Sequence, residues 1–250
     1  MLVERIEIVS AFRRDPTIVL SIGPKVARLA RRLNAQIRDI RVPENAPPEI
    51  PRLVVQLDRA ILQIGLNRFH LQAQAPEHVA SNFEESMAFA MQLFEPTLAD
   101  FYAGDEAPQF EWTGIVATLN YPSSGARTTA SGAEAIYPVF RRLTTLNWGN
   151  ESLASFELRV GRRSEGHFTN YTVAGYEMRE ISVLADGAQS VTVDFTTVPV
   201  SQSGVTVTLD VNSRPSGSKR GPTEDLASTS ARHFIAFSSM ASDLNLEGML

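Results

Sequence analysis

The stretch LVVQLDRAILQIGLNRFHLQAQ, residues 53–74, carries the clearest structural pattern in the chain. Its apolar residues mostly alternate with polar ones, and the alternation changes phase near residues 58–59 and again near residues 67–68. Alternation with a period of two is typical of strands with one buried face, and a change of phase is typical of a tight turn. The stretch therefore predicts a three-stranded antiparallel meander.

An amphipathic helix is predicted directly after this meander. Ser81 and Glu84 match the S-x-x-E capping box, in which each side chain binds a free backbone N–H group of the other residue. Pro96 is expected to kink or interrupt the helix, and Gly104 is expected to end it. An apolar residue recurs every three to four positions, as in a helix that covers a sheet. This stripe consists of Phe83, Met87, Met91, Phe94, Leu98 and Phe101.

Further strands and a final helix are predicted in the second half of the chain. The helix is expected over residues 223–242, where apolar residues again recur at helical spacing. The expected fold class is therefore α+β, with antiparallel β-meanders that are each covered by an amphipathic helix, in two pseudo-repeated halves. Alternating segments occupy residues 110–121, 155–161, 167–185, 190–198 and 204–212.

Three segments are expected along the chain, with one continuous domain as the alternative. Residues 1–45 form an N-terminal strand and helix segment with a basic face. Residues 46–125 form the first meander and its helix, and residues 126–250 form the second strand-rich half with the C-terminal helix. The first boundary falls at PENAPPEIP, residues 43–51, because four prolines in nine residues prevent regular structure.

Composition indicates a folded protein in the cytoplasm. The chain has 250 residues, of which 43% are hydrophobic and 20% are charged, as in ordinary globular domains. No apolar run approaches the roughly 18 residues of a membrane span, so no membrane association is expected. The N-terminus has no long apolar core of the kind that secretory signals carry.

No cofactor, metal site or catalytic residue is predicted. The chain contains no cysteine, which excludes disulfides, thiolate nucleophiles and cysteine-bound metals. No histidine pair has H-x-x-x-H spacing, and neither a Walker loop nor a G-x-S-x-G turn occurs. An unrecognised hydrolase stays open as an alternative, in which His167 or His233 would lie within hydrogen-bond reach of a serine or aspartate.

The predicted helix 24–34 carries the one candidate ligand-binding face. Residues 1–52 hold ten basic and six acidic side chains, whereas the remainder holds thirteen basic and twenty-two acidic ones. Lys25, Arg28 and Arg32 lie three to four positions apart and share one side of the helix, and Arg31 flanks them. Arginine binds phosphate and carboxylate in a forked geometry, so this face could bind nucleic acid, a nucleotide or an acidic partner. Charged helix faces more often only face solvent.

Four stretches resemble a sporadically distributed, uncharacterised bacterial family, the TIGR04255 family. The resemblance covers roughly residues 45–243 and lies in the pattern and order of the elements. It implies a bacterial origin and an α+β fold, and no established activity. The stretches are LVVQLDRAILQIGLNRF, FEESMAFAMQLFEP, VTLDVNSRP and RHFIAFSSM.

The leading hypothesis is a non-enzymatic interaction module. It would bind a protein partner, or form a homo-oligomer, through sheet edges or the N-terminal basic segment. Long alternating strands favour this hypothesis because an exposed sheet edge can accept another strand. Binding of nucleic acid or a nucleotide through helix 24–34 is the alternative.

The nucleic-acid alternative makes a direct prediction. Replacing Arg28, Arg31 and Arg32 with alanine should abolish binding of a labelled oligonucleotide in fluorescence anisotropy. Binding to the wild type should also weaken as salt rises, because phosphate contacts release counterions. Equal binding by the wild type and the triple variant rejects this alternative.

Overall fold

The computed structural model describes the sheet, one long helix and several shorter stretches of the chain. The described residues are 1–16, 18, 25, 27–28, 31, 36–39, 42–43, 45–102, 110–122, 157–164, 167–179, 198–213, 232 and 234–235. Their strands are β1 (Leu2–Phe12), β2 (Gln36–Asp39), β3 (Leu53–Gln56), β4 (Ala60–Ile64), β5 (Arg68–Ala73), β6 (Phe110–Pro122), β7 (Glu157–Ser164), β8 (His167–Arg179) and β9 (Val200–Asn212). The long helix, α1, spans Phe83–Phe101.

All nine described strands form one antiparallel sheet in the order β2-β3-β4-β5-β1-β6-β9-β8-β7. The N-terminal strand β1 lies in the middle, where it pairs with β5 on one side and with β6 on the other. Ile8, for example, lies opposite Leu71 of β5 and opposite Ile115 of β6. Strand β1 therefore joins the strands that precede α1 to those that follow it.

The predicted fold class is wrong. We expected an α+β fold of separate antiparallel β-meanders, each covered by an amphipathic helix, in two pseudo-repeated halves. The described residues instead form one large antiparallel sheet, with α1 as their one long helix. The physical reason is that β1 hydrogen-bonds along both of its edges, so no break separates the two sets of strands. The segment boundaries near residues 45 and 125 stay a prediction.

The meander predicted for residues 53–74 is confirmed. Strands β3, β4 and β5 are successive antiparallel neighbours, joined by short turns at residues 57–59 and 65–67. A Cβ atom on Gly65 would lie 2.8 Å from the Pro48 carbonyl oxygen, so the turn and the proline-rich loop approach closely only because residue 65 is glycine. The Leu66 N–H group donates to the same oxygen at 2.9 Å. This contact fixes the loop against the turn.

Helix α1 packs its apolar stripe on one face of the sheet and forms the core with it. Phe69 of β5 lies at the centre of this contact, with its ring centroid 5.2 Å from those of Phe12 and Phe101. The Phe83 ring stacks on Phe234, which belongs to the predicted C-terminal helix and is helical. As predicted, the stripe faces the core: its buried members are Phe83, Met87, Phe94 and Phe101, and its half-buried members are Met91 and Leu98.

The N-terminal cap of α1 differs from the predicted one. The helix begins at Phe83, and Asn82 Oδ1 accepts a hydrogen bond from the Glu85 backbone N–H group at 3.2 Å. Asn82 therefore caps the helix, and Ser81 precedes it as an exposed residue. Pro96 does not interrupt the helix, which continues to Phe101.

Two buried serines predict opposite effects on stability. Ser10 is fully buried, and its Oγ has no hydrogen-bond partner in the described part of the chain. Ser213 Oγ accepts a hydrogen bond from the Thr113 N–H group at 3.0 Å and donates to the Thr113 carbonyl oxygen at 3.3 Å. Ser10→Ala should therefore raise the free energy of unfolding by about 1 kcal/mol, whereas Ser213→Ala should lower it by about 1–2 kcal/mol.

Urea unfolding of both variants measures these changes. Each substitution removes one serine hydroxyl group and nothing else, so each variant is the control for the other. Equal losses of stability would show that the environment of the hydroxyl group does not decide the effect.

Candidate functional site

The sheet face opposite α1 carries a row of side chains that are polar except for Val116, and we call it the polar face. Residues that lie directly opposite each other on neighbouring strands present their side chains to the same face. Across the middle of the sheet, this row runs from β5 to β8. It consists of Gln72, Glu7, Val116, Asp210 and Asn170.

A carboxylate–imidazole pair lies at the centre of the polar face. His70 Nε2 is 2.8 Å from Glu7 Oε2, and Arg5 Nε is 2.9 Å from Glu7 Oε1. Gln72 Nε2 donates to Glu7 Oε2 at 3.5 Å. The hydrogen bond with His70 holds the pKa of Glu7 below its ordinary value of 4.5, and the charge of Arg5 adds to this, although partial burial acts in the opposite direction. Glu7 is therefore ionised at neutral pH.

The contacts of this pair hold two strands together. One carboxylate oxygen of Glu7 pairs with Arg5, and the other accepts hydrogen bonds from His70 and Gln72. The described residues contain no group of three or more side chains that could hold a metal ion. The contacts join β1 to β5, the pairing on which the continuous sheet depends.

A second polar cluster lies two strands away. Asp210 accepts a hydrogen bond from Asn170 Nδ2 at 3.3 Å and another from Asn212 Nδ2 at 3.0 Å. Both asparagines are buried. Because the row contains the carboxylates Glu7 and Asp210 beside Arg5, the middle of the polar face has mixed charge in the described part of the chain.

The candidate ligand-binding residues of helix 24–34 fall into different environments. Lys25 is helical and buried, with its Nζ 4.8 Å from the centroid of the Phe101 ring and 5.1 Å from that of Tyr102. Its ammonium group thus binds the faces of two aromatic rings. Arg28 and Arg31 are helical and exposed, and Arg32 lies outside the described residues. The binding role of the four residues stays a prediction.

Strand β7 forms one edge of the described sheet. It pairs with β8 along its eight residues, and no described strand lies on its other side. The opposite edge is the four-residue strand β2. Val160, in the middle of β7, is 44% exposed. Both faces of β7 reach solvent, since Glu157, Arg159, Val160, Gly161, Arg162 and Arg163 are all exposed.

The charges of β7 are divided between its two faces. Glu157, Arg159 and Arg163 lie on the polar face. Their partners on β8 are even-numbered residues, and even-numbered residues of β8, such as Asn170, point to that face. In the described part of the chain, the side chains of these three residues form no ion pair. Arg162 lies on the other face, where its charge partly offsets the rise in the pKa of Tyr171 that burial causes. The edge is therefore basic, with one carboxylate at its start.

Gly161 leaves a bare backbone in the middle of this charged strand. A Cβ atom there would lie 3.1 Å from Asn170 Oδ1 and 3.3 Å from Cζ of the Phe168 ring. Both side chains come from β8 and lie over the glycine. They present an aromatic ring and an amide oxygen on the polar face next to the edge.

The hydrolase alternative gains no support from the described residues. His167 is half-buried at the start of β8 and lies opposite Ser164 in the register of the strands. Its ring forms no hydrogen bond in the part of the chain that the structure describes. His233 lies outside the described residues.

Comparison of the sequence with protein-family models and with curated proteins finds no match. Among the described residues, no helix is long and apolar enough to cross a membrane.

Sequence reasoning missed both the contact between Glu7 and His70 and the position of β7 at the edge of the sheet. The outward position of His70 follows from the alternation in residues 53–74, but its partner Glu7 is 63 positions away on another strand. Residues 155–161 were predicted as a strand without a place in a sheet, so its position at the edge could not be foreseen. The signal that could have found the edge is the set of three arginines in one short strand, because charges protect exposed edges.

The Glu7 contacts predict a pH-dependent contribution to stability. A carboxyl group whose pKa is lowered by folding stabilises the fold above its unfolded pKa, and this contribution disappears as the pH falls through the folded pKa. Glu7→Gln should therefore lower the free energy of unfolding by about 1–2 kcal/mol at pH 7. The difference from wild type should shrink as the pH falls below 4.5, the ordinary pKa of the group.

Denaturant unfolding at a series of pH values measures this difference. Glu111→Gln is the matched control, because Glu111 is an exposed carboxylate on β6. If the free energy of unfolding of Glu7→Gln stays below that of wild type by the same amount from pH 7 to acidic pH, the Glu7 contacts do not make the pH-dependent contribution.

Proposed function

We propose that this chain is a non-enzymatic interaction module of the bacterial cytoplasm, and that it binds an extended protein segment as an added strand beside β7. One observation carries the proposal. In the described part of the chain, β7 is paired on one side only along all eight residues, with exposed side chains on both of its faces. Bacterial origin and membership in the TIGR04255 family belong to the proposal and depend on the resemblance alone.

The backbone of an edge strand supplies the affinity in this mode of binding. One edge of β7 presents N–H and C=O groups toward the side that has no described strand, and an extended segment can pair with them. Side chains at alternate positions then select among segments, because they lie opposite the side chains of the incoming strand. On β7 these are an apolar residue in the middle and charged residues around it.

The charges of β7 determine which segments fit. Arg159 and Arg163 on the polar face and Arg162 on the other face favour a segment with acidic or amide side chains opposite them. Val160 favours an apolar residue, since it is a large hydrophobic side chain left 44% exposed. Segments with basic residues opposite the arginines are excluded by repulsion between like charges.

The two alternatives have less support. Nucleic-acid binding through helix 24–34 was expected to use Lys25, but that ammonium group is buried against Phe101 and Tyr102. A hydrolase would need a nucleophile beside a histidine, and neither His70 nor His167 forms a hydrogen bond with a serine in the described part of the chain. We therefore favour the interaction module.

Two short peptides test whether the edge accepts a strand. The first, Glu-Glu-Thr-Val-Glu-Val-Lys, runs antiparallel to residues 163–157 and places an opposite charge or an apolar residue against each of them except Gly161, which faces the threonine. The second, Lys-Lys-Thr-Val-Lys-Val-Glu, has the same pattern with every charge reversed. Wild type at nanomolar concentration should bind the first peptide about tenfold more tightly, because several cross-strand pairs of up to about 1 kcal/mol each differ in sign.

Fluorescence anisotropy of the labelled peptides measures both affinities. The double variant Arg159→Glu and Arg163→Glu should lose the preference, because each peptide then meets two opposite and two like charges, while Arg28→Ala with Arg31→Ala should behave as wild type. Loss of the preference in the latter variant would place binding on helix 24–34 instead. Wild type that binds neither peptide would overturn the proposal.

A further inference from the structure

We infer that β7 of a second copy of this chain is the segment that pairs with β7, antiparallel and with Val160 opposite Val160. The inference rests on the proposed function and names the partner of that same edge. It depends on the order of charges along β7, on the exposed Val160 and on the bare backbone at Gly161.

Symmetry restricts how two copies of β7 can pair. An antiparallel pair that continues the sheet has its two-fold axis perpendicular to the sheet, so the polar face of one copy continues the polar face of the other. Side chains that lie opposite each other share a face. An odd-numbered residue of one copy can therefore face only an odd-numbered residue of the other, and an even-numbered residue only an even-numbered one. The axis must then pass midway between the two copies of one residue of β7.

Most of these registers bring arginines together. With the axis at residue 159 or at residue 162, an arginine faces its own copy, and with the axis at residue 161, Arg159 faces Arg163. Like charges directly opposite each other destabilise a strand pair. With the axis at residue 158, only residues 157–159 of the strand overlap. Each of these registers is therefore disfavoured.

The register centred on Val160 avoids both the facing arginines and the short overlap. It pairs seven of the eight residues of β7, residues 157–163, and places no like charges directly opposite each other. Glu157 of each copy faces Arg163 of the other, which gives two ion pairs between oppositely charged side chains. Val160 faces Val160, so two exposed apolar side chains cover each other.

The two remaining arginines also meet complementary groups in this register. Arg159 faces Gly161 of the other copy, where the Phe168 ring and Asn170 Oδ1 lie over the bare backbone. A guanidinium group there can stack on the ring and donate to the amide oxygen. Arg162 faces the half-buried Leu158, which its aliphatic stem can cover while the charged end stays in water.

The dimer is expected to be weak and reversible. Seven paired residues on each copy are fewer than the roughly 20–30 residues a side of a stable interface. A covalent trap at the axis therefore tests the inference more directly than the oligomeric state alone. The chain suits this experiment because it contains no cysteine, so each variant introduces a single thiol.

The variant Val160→Cys places two thiols on the two-fold axis. Facing residues of antiparallel strands have Cα atoms about 4.5 or 5.5 Å apart, which lies within the range of about 4.4–6.8 Å that disulfides span. Under mild oxidation, Val160→Cys should form a disulfide dimer about tenfold or more faster than Ala88→Cys, since pairing raises the effective concentration of its thiols. Ala88 is exposed on α1 and reports random collision. Non-reducing electrophoresis measures both rates.

Two further sets of variants test the register and the charges. Leu158→Cys and Arg162→Cys should each cross-link no faster than Ala88→Cys when alone, but should cross-link to each other when mixed. In the Val160→Cys background, Arg163→Glu should reduce cross-linking to the Ala88→Cys rate, and adding Glu157→Arg should restore it. Restoration by a charge exchange also shows that the single variant was folded.

Two outcomes overturn the inference. Val160→Cys that cross-links no faster than Ala88→Cys refutes self-pairing, and rapid cross-linking of Leu158→Cys alone refutes the register. If the peptide Glu-Glu-Thr-Val-Glu-Val-Lys binds while Val160→Cys does not cross-link, the edge accepts a foreign strand and only self-pairing fails. If neither occurs, the proposed function fails as well.

Discussion

The pairing of β1 on both of its edges is the constraint on which the rest of the structure depends. Its backbone N–H and C=O groups bond to β5 on one side and to β6 on the other. On one face, Ile6, Ile8 and Phe12 are buried in the core with α1, and on the other face Glu7 bonds to His70. Without β1, the strands before α1 and those after it would share no ladder, and each set would expose an apolar edge.

The position of β7 at the edge follows from this centre. Because β6 pairs with β1 on one side, its other side is available to a later strand, and β9 takes that place. Strand β8 then pairs with β9, so β7 lies outermost although it precedes both in the chain. A plain meander after β6 would have put β9 at the edge, with its uncharged sequence GVTVTL exposed. The observed order buries that apolar strand and leaves the arginine-bearing one outside.

The local elements of this fold are predictable from the sequence, and their partners are not. Alternation identifies the strands in residues 53–74 and 110–121, and the apolar stripe identifies the buried face of α1. Nothing in LVERIEIVSAF, however, specifies that the strand pairs on both edges, since antiparallel partners are chosen by packing across long stretches of chain. The cap was misplaced because Ser81 and Asn82 are adjacent, both cap helices well, and only the geometry selects Asn82.

The same limit applies to charged residues. Lys25 was grouped with the arginines by its charge, yet its long stem and two neighbouring rings allow it to lie buried. On β7 the charges stay outside, and their order matters more than their number. The three arginines of β7 face one another in most registers, whereas Glu157 and Arg163, each three positions from Val160, match in one. Such an edge resists indiscriminate pairing and still permits a specific one, which is the property that an interaction strand requires.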